Sequence, residues 1–308
     1  MEKYLVFDWG GTFLKYAIMD ENADILEKDK VPSPQPDVST KEMFMDVLDG
    51  IISKYIDEVK GIAISMPGMI DKKKGYCITA GWLTYLAGSY MVDELSDKYG
   101  LPVSVENDGK CAALAEYWKG SLSDVDNGAV VVLGTAVGGG IIINGNLYTG
   151  NHFSAGEYSY LCMTTENTDD FDNYWGFSGG SRALIRYVAE FTGENPEDLD
   201  GIKVFERANN GEEAVLKGLK KYTDRMAIGL YNINVMLDFD KIAIGGGISK
   251  QPLLLEYIKK SIDEFDAQNP NGPKEEYKPK PNVVVAKYYN DANLIGALFN
   301  YLTDSTHG

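Results

Sequence analysis

Apolar and polar positions open the chain in three short strand-like runs. Lys3 to Asp8, Leu14 to Met19 and Ile25 to Val31 are rich in β-branched and aromatic residues. Gly10-Gly11-Thr12 separates the first two and Asp20-Glu21-Asn22 the second pair, so three successive strands are predicted. Pro32, Pro34 and Pro36 stop this pattern. Ser39 with Glu42 fits a capping box, and the helix that follows puts Phe44, Val47, Leu48, Ile51, Ile52, Tyr55 and Ile56 on one face. Gly61 to Ser65 reads as a buried strand running into Met66-Pro67-Gly68. Val92 to Tyr99 then reads as a helix, Val103 to Glu106 as a strand and Gly109 to Tyr117 as a helix.

A second β block starts at Ala129. Val130 to Leu133 is a strand, Gly134 to Gly140 a glycine-rich turn, Ile141 to Ile143 a strand, and Asn144-Gly145 a hairpin turn signal. Helices follow at Arg182 to Phe191, Ile202 to Ala208 and about Glu212 to Leu237. Lys241 to Ile244 is a strand entering Gly245-Gly246-Gly247, and Leu253 to Phe265 a helix. Ala267 to Pro281 is a polar, proline-rich loop, Val283 to Ala286 a last strand and Ala292 to Leu302 a closing helix. The order strand, glycine turn, strand therefore occurs twice, from Leu5 and from Val130. That suggests two related α/β domains with a boundary near Gly120 to Asn127, although similar glycine hairpins also arise independently.

The length of 308 residues agrees with two domains at about 150 residues each. Lys and Arg total 29 against 46 Asp and Glu, and the net charge of −17 argues against tight binding to a nucleic-acid backbone. Three cysteines (77, 111, 162) and two histidines (152, 307) exclude a disulfide scaffold and a Cys-Cys-His-His zinc module. His152 is left as the one imidazole available for chemistry. The start reads as a strand, not a signal peptide, and the longest uncharged run, Asn127 to Ser154, is broken by glycines. A soluble, cytoplasmic protein is expected, with no membrane segment.

Asp8-x-Gly10-Gly11-Thr12 closes a strand and opens a hairpin. Glycine lets backbone N–H groups approach an anion, and a carboxylate at a strand end can hold Mg²⁺ directly or through water. Thr12 adds a hydroxyl and Lys15 a positive charge. The alternative is a plain Gly-Gly hairpin with an exposed Asp. The turn leads to a strand, so it is no Rossmann fingerprint, and no Gly-Lys-Ser/Thr follows to make it a P-loop. Gly134-Thr135 with Gly138 offers the same cradle, or a flexible hairpin. Glu106-Asn107-Asp108 lies between a strand and a helix, where open α/β sheets place ligands. Asp108 suits a base that takes a hydroxyl proton, and either Asn107 or Asp108 suits a helix cap. Gly245-Gly246-Gly247 would let a flat nucleoside rest on the backbone, or form a flexible turn. Glu157 is open to a role at a substrate hydroxyl or to a solvated loop charge. Cys111 reads as a buried structural thiol, and Trp82 and Tyr85 as core or as sugar-stacking aromatics.

Taken together, these residues resemble the ROK family of sugar kinases, in the actin-like, ribonuclease-H-like ATPase superfamily. The resemblance runs over nearly the whole chain, through Asp8 to Lys15, Pro67-Gly68, Glu106-Asn107-Asp108, Gly134 to Gly140, Gly156-Glu157, Gly245 to Gly247 and Ile295-Gly296-Ala297. It implies an α/β fold of two ribonuclease-H-like domains with the active-site cleft between them. Residues 1–120 would be the sugar and phosphate domain, with 288–308 returning to it, and 121–287 the nucleotide-binding and dimerisation domain. It also implies ATP-dependent phosphorylation of a sugar hydroxyl, the 6-hydroxyl of a hexose or β-glucoside. Asp8, Gly10, Gly11, Thr12 and Lys15 would then form one phosphate site with Mg²⁺ on Asp8, and Gly134, Thr135 and Gly138 the other. Gly245, Gly246 and Gly247 would contact the nucleoside, Asp108 would be the base, and Gly68, Asn107 and Glu157 would bind sugar. A homodimer is implied. Relatives often carry a structural zinc on one His and a Cys cluster. Here Tyr160 stands at the His position, the Cys cluster is missing through Gly180, and Thr79-Ala80-Gly81-Trp82 lacks the usual Asn. Zinc is therefore expected to be absent, as in the zinc-free branch that includes β-glucoside kinases. The alternatives are an N-acetylmannosamine-type amino-sugar kinase, or a sugar-responsive regulator without a DNA-binding domain.

Overall fold

A computed structural model of the chain describes residues 1–166, 168–269 and 280–304. In chain order the strands and helices are β1 (Lys3–Trp9), β2 (Phe13–Asp20), β3 (Ile25–Pro32), α1 (Lys41–Tyr55), β4 (Ile62–Met66), β5 (Ile70–Asp71), β6 (Tyr76–Cys77), α2 (Met91–Tyr99), β7 (Val103–Asn107) and α3 (Asp108–Lys119). They continue with β8 (Gly128–Leu133), β9 (Val137–Ile143), β10 (Asn146–Leu147), α4 (Trp175–Ser178), α5 (Ser181–Thr192), α6 (Gly201–Asn209), α7 (Glu213–Leu237), β11 (Lys241–Gly245), α8 (Pro252–Ala267), β12 (Val283–Val285) and α9 (Ala292–Leu302). None of the described helices is long and apolar enough to cross a membrane.

The chain forms two compact units. The first takes Met1–Trp118, Leu147–Ala155 and the chain from Asp291; the second takes Lys119–Asn146 and Gly156–Asn290. Each holds a five-stranded sheet, ordered β3-β2-β1-β4-β7 in the first and β10-β9-β8-β11-β12 in the second. In both, an antiparallel hairpin is joined edge-on to parallel strands, β1 to β4 in one and β8 to β11 in the other.

In the first unit β1, β4 and β7 run parallel with Asp8 opposite Ser65 and Ser65 opposite Glu106. Alternate residues face the core, where Phe44, Leu48, Ile51 and Ile52 of α1 cover the sheet. Trp9 packs edge-on to Phe44 with ring centroids 4.9 Å apart. Removing a ring such as Phe44 would cost about 3–5 kcal/mol. Helix α9 packs on α3 with backbones touching, because Gly296 has no Cβ; an added one would lie 1.7 Å from the Cys111 carbonyl oxygen.

Two local expectations change. Helix α1 is capped by Thr40, whose hydroxyl accepts from the Met43 N–H at 3.4 Å, in place of Ser39 in a capping box. Gly138 to Gly140 are strand residues of β9, not part of a turn. At Gly139 the lack of a side chain suits the packing: a Cβ there would sit 2.1 Å from the Val130 carbonyl oxygen and 2.4 Å from the Tyr158 ring. Asn144 and Gly145 both take positive φ, 50° and 73°, as a tight hairpin turn requires. Residues 270–279 of the polar loop, and His307, lie outside the described residues.

Candidate active site

In the first unit the candidate residues gather at the C-terminal ends of β1, β4 and β7. Asp8 is buried at the end of β1. Its Oδ2 accepts from Lys15 Nζ at 2.8 Å, and its Oδ1 from the Asn293 amide at 3.0 Å. Lys15 is the cross-strand partner of Asp8, so the hairpin register itself makes this ion pair. Asn293 comes from α9, one turn before Gly296, and the close packing at Gly296 brings it in. The turn beyond Asp8 is held by its neighbours. The Ser33 hydroxyl donates to the Gly10 carbonyl at 2.6 Å, and the Gln35 amide to the Gly11 carbonyl at 3.2 Å. Thr12 is exposed at the tip.

Trp82 lies against Gly11, where an added Cβ would meet its indole at 3.0 Å, yet it is 60% exposed. It is therefore not core. Tyr85 is the packed one of the pair, its hydroxyl donating to the Pro34 carbonyl at 2.9 Å. The loop carrying Trp82 is pinned to Pro67-Gly68. Gly68 has φ +104°, and a Cβ there would lie 2.3 Å from the Thr79 carbonyl oxygen, so no other residue fits. The Gly68 carbonyl accepts from the Asn107 amide at 2.9 Å.

Asn107 also carries the helix cap: its Oδ1 accepts from the Lys110 N–H at 3.0 Å. Asp108, the first residue of α3, accepts from the Gly109 N–H at 2.8 Å and from the Asn107 amide at 3.1 Å, and it is partly exposed. The cap and the candidate base are thus adjacent residues with separate duties. Cys111 is buried beneath them. Burial first, then the nearby Glu106 carboxylate, pushes its thiol well above the usual range, so it stays protonated and structural.

In the second unit the turn after β8 is built from backbone. The Gly134 N–H donates to the Ala136 carbonyl at 3.0 Å, and the Gly134 carbonyl accepts from the Ser181 N–H and hydroxyl at 2.8 and 2.9 Å. Ser181 starts α5, so this turn lies at a helix N-terminus. A Cβ on Gly180 would lie 2.4 Å from the Thr135 carbonyl oxygen. Gly245 pairs with Val132, and Gly246, at φ +93°, would put a Cβ 2.3 Å from the Leu133 carbonyl oxygen. The structure thereby brings Gly134, Thr135 and Gly138 together with Gly245, Gly246 and Gly247 at one end of this sheet. Gly156, at φ +83°, packs on Gly139 and Gly140, and Glu157 follows it into a short turn over Tyr158–Tyr160.

The ROK family pattern matches residues 4–303. The chain belongs to the ROK family. It is 28% identical to a β-glucoside kinase of Listeria monocytogenes, covering 98% of both chains. Among solved structures it is similar to a ROK family protein of Streptococcus pneumoniae in complex with sucrose. There the TM-score is 0.85 and the identity 32%, over 99% of this chain and 100% of that one. It is also similar to a ROK glucokinase of Streptomyces griseus in complex with glucose and AMPPNP. That match has a TM-score of 0.78 and 26% identity, over 96% and 98% of the two chains. The two-sheet architecture is that of the actin-like ATPase fold.

Between Glu157 and Gly180 this ROK chain is organised by aromatic packing. Trp175 is fully buried against Tyr158, with ring centroids 5.8 Å apart, and fills the space left by Gly179 and Gly229. Tyr160 is exposed, and the exposed Cys162 thiol donates to the Thr164 carbonyl at 2.9 Å. No group of three or more His, Cys, Asp or Glu able to hold a metal occurs among the described residues. His152 is exposed in the stretch between Leu147 and Ala155. Two residues of the site carry no local signal in the sequence. Asn293 reaches Asp8 from 285 positions away, and Ser65 lines up behind Asp8 only through strand register, its hydroxyl 3.5 Å from Asp8 Oδ1.

Proposed function

We propose that this chain transfers the γ-phosphoryl group of ATP to a sugar hydroxyl, with Asp108 accepting the hydroxyl proton. ATP-dependent sugar phosphorylation is the activity its family and named relatives support. The observation that carries the residue assignment is the convergence in the first unit. Asp108, Asn107 and the Gly68 loop meet at the ends of the parallel strands, beside an exposed tryptophan. A carboxylate at this place, with Asn107 taking the cap, has the geometry of a base that orients a hydroxyl. Gly68, Asn107 and Glu157 are assigned to sugar hydroxyls.

Asp8, Gly10, Gly11, Thr12 and Lys15 are assigned to the phosphates, as are Gly134, Thr135 and Gly138. Gly245 to Gly247 are assigned to the nucleoside. Gly138 and Gly247 support this reading. Neither has positive φ, and a Cβ on either would meet no atom within 4 Å, so the fold itself does not demand glycine there. An open backbone for a ligand to approach is the remaining use. Mg²⁺ fits Asp8 through water. Both carboxylate oxygens already accept hydrogen bonds, and Mg²⁺ characteristically keeps its waters while leaning on one or two carboxylates and the phosphates. When bound, the ion would supply neutralisation of phosphate charge. Lys15 holds the Asp8 carboxylate in place, and Asn293 fixes its rotamer.

A β-glucoside or another hexose derivative is the proposed acceptor class, and a zinc-free, cytoplasmic homodimer the proposed form. The test is ADP release with glucose, mannose, fructose, N-acetylmannosamine, N-acetylglucosamine, cellobiose and gentiobiose. Asp108→Asn should lower kcat by about 10²–10⁴-fold on the preferred sugar with KM little changed. Near-normal turnover would remove Asp108 from the base role, and silence toward every sugar would overturn the kinase reading.

A further inference from the structure

At the far edge of the first sheet lies a cavity of about 390 Å³, within the range of small-molecule sites. Its floor is the edge strand β7, its walls the Lys72–Gly75 turn and the start of α2, and Asp304 closes one side. Three features give it chemistry. Lys72, Lys73 and Lys74 stand together on a chain of net charge −17. Lys72 donates to Asn300 at 2.7 Å and lies 3.8 Å from Asp304, Lys74 lies 3.4 Å from Asp71, and Lys73 forms no ion pair among the described residues. Ser104 is 3% exposed, lines the cavity and has no hydrogen-bond partner for its hydroxyl. A buried hydroxyl without a partner is costly and marks a place where a ligand or water belongs.

The third feature is the strand edge. The Ile62 N–H takes the Pro102 carbonyl at 2.9 Å, so in this parallel ladder Ser104 faces β4 with its backbone, and Val103 and Val105 turn theirs the other way. Among the described residues no strand covers that side. The turn packs closely on α2: Gly75 has φ +59°, and a Cβ on it would lie 2.3 Å from Val92.

We propose that this cavity binds a small ligand carrying one anionic group and several hydroxyls, of the sugar-phosphate class. The lysines and the α2 N-terminus suit the anion. Asp93, Asp304 and the Val103 and Val105 carbonyls suit hydroxyl donors, and the two carboxylates would reject a bare polyanion. The site is separate from Asp108 and does not depend on the kinase assignment.

The test is calorimetric titration of the full chain with glucose 6-phosphate and, separately, inorganic phosphate. Saturable binding of glucose 6-phosphate, tighter than phosphate, is expected. Lys73→Glu, an exposed change that leaves basal turnover intact, should weaken it about tenfold or more, as loss of a charged hydrogen bond does. Ser104→Val should weaken it too, and Asp108→Asn should not. Equal affinity in Lys73→Glu and wild type, loss of binding in Asp108→Asn, no saturable binding, or no preference over phosphate would each overturn the assignment.

Discussion

The glycine turn of the first unit is held by side chains. Ser33 and Gln35 grip the carbonyls of Gly10 and Gly11, Trp82 lies on Gly11, and the charge nearby is the Asp8–Lys15 pair with Asn293 behind it. The glycine turn of the second unit is held by backbone against backbone. Gly180 packs on Thr135, Gly246 packs on Leu133, and the start of α5 is hydrogen-bonded to Gly134. The strand order around the two turns is alike, but the support is not. A turn supported by side chains can present ionisable groups, while one supported by close-packed backbone presents N–H groups and a helix N-terminus. The first suits proton and metal chemistry, and the second suits an anion that needs no counter-charge from a side chain.

The largest expected effect tests the backbone support. Gly246→Ala places a Cβ 2.3 Å from the Leu133 carbonyl oxygen at φ +93°. It should cost about 3 kcal/mol, or roughly 6–12 °C in Tm by thermal melt. A stability unchanged from wild type would show that this turn is not held as described. Next, Asp8→Ala should lower kcat/KM about 10²-fold and remove most of the Mg²⁺ dependence in the ADP-release assay, with little change in Tm. An enzyme still fully Mg²⁺-dependent after that change would place the metal elsewhere.

A smaller effect separates ligand from fold. Gly138→Ala has room for its methyl and an extended backbone, so its Tm should stay within about 2 °C or rise slightly, since alanine restricts the unfolded chain. Its KM for ATP should rise about tenfold if phosphate approaches that backbone, as one lost hydrogen bond to a charged group implies. An unchanged KM would remove Gly138 from the nucleotide site. The smallest effect is on thiols. Burial pushes the Cys77 thiol up to about 12 and Cys111 upward as well, whereas Cys162 is exposed. Raised values leave almost no thiolate at pH 8, so a disulfide reagent should label one thiol per folded chain. Rapid labelling of two would mean the first unit opens around α3 or β6.

Most of the elements were legible along the chain. The closing helix was expected at Ala292 to Leu302 and lies there, and the strands of both sheets begin within two residues of expectation, except β9, whose glycines were read as a turn, and the two-residue β10, for which no strand was expected. Either Asn107 or Asp108 was readable as the cap, and Asp108 also as the base, because a strand end followed by polar residues and a helix admits both uses. Only the Lys110 N–H, lying on Asn107, assigns the cap. Trp82 was open to a core or a sugar-stacking role and is exposed, because aromatic content does not say which face a loop turns outward.

Local sequence determined the periodicities, the turns and the types of chemistry at each strand end, since these depend on neighbours within a few residues. Tertiary structure decided which of those groups meet. Asn293 reaches Asp8 because Gly296 lets α9 touch α3, Ser65 and Glu106 line up with Asp8 through strand register, and Ser104 has an open edge beside it because β7 is last in its sheet. Such contacts join residues that are independent along the chain, and only the packing of whole elements fixes the few ångströms on which a hydrogen bond or an ion pair depends.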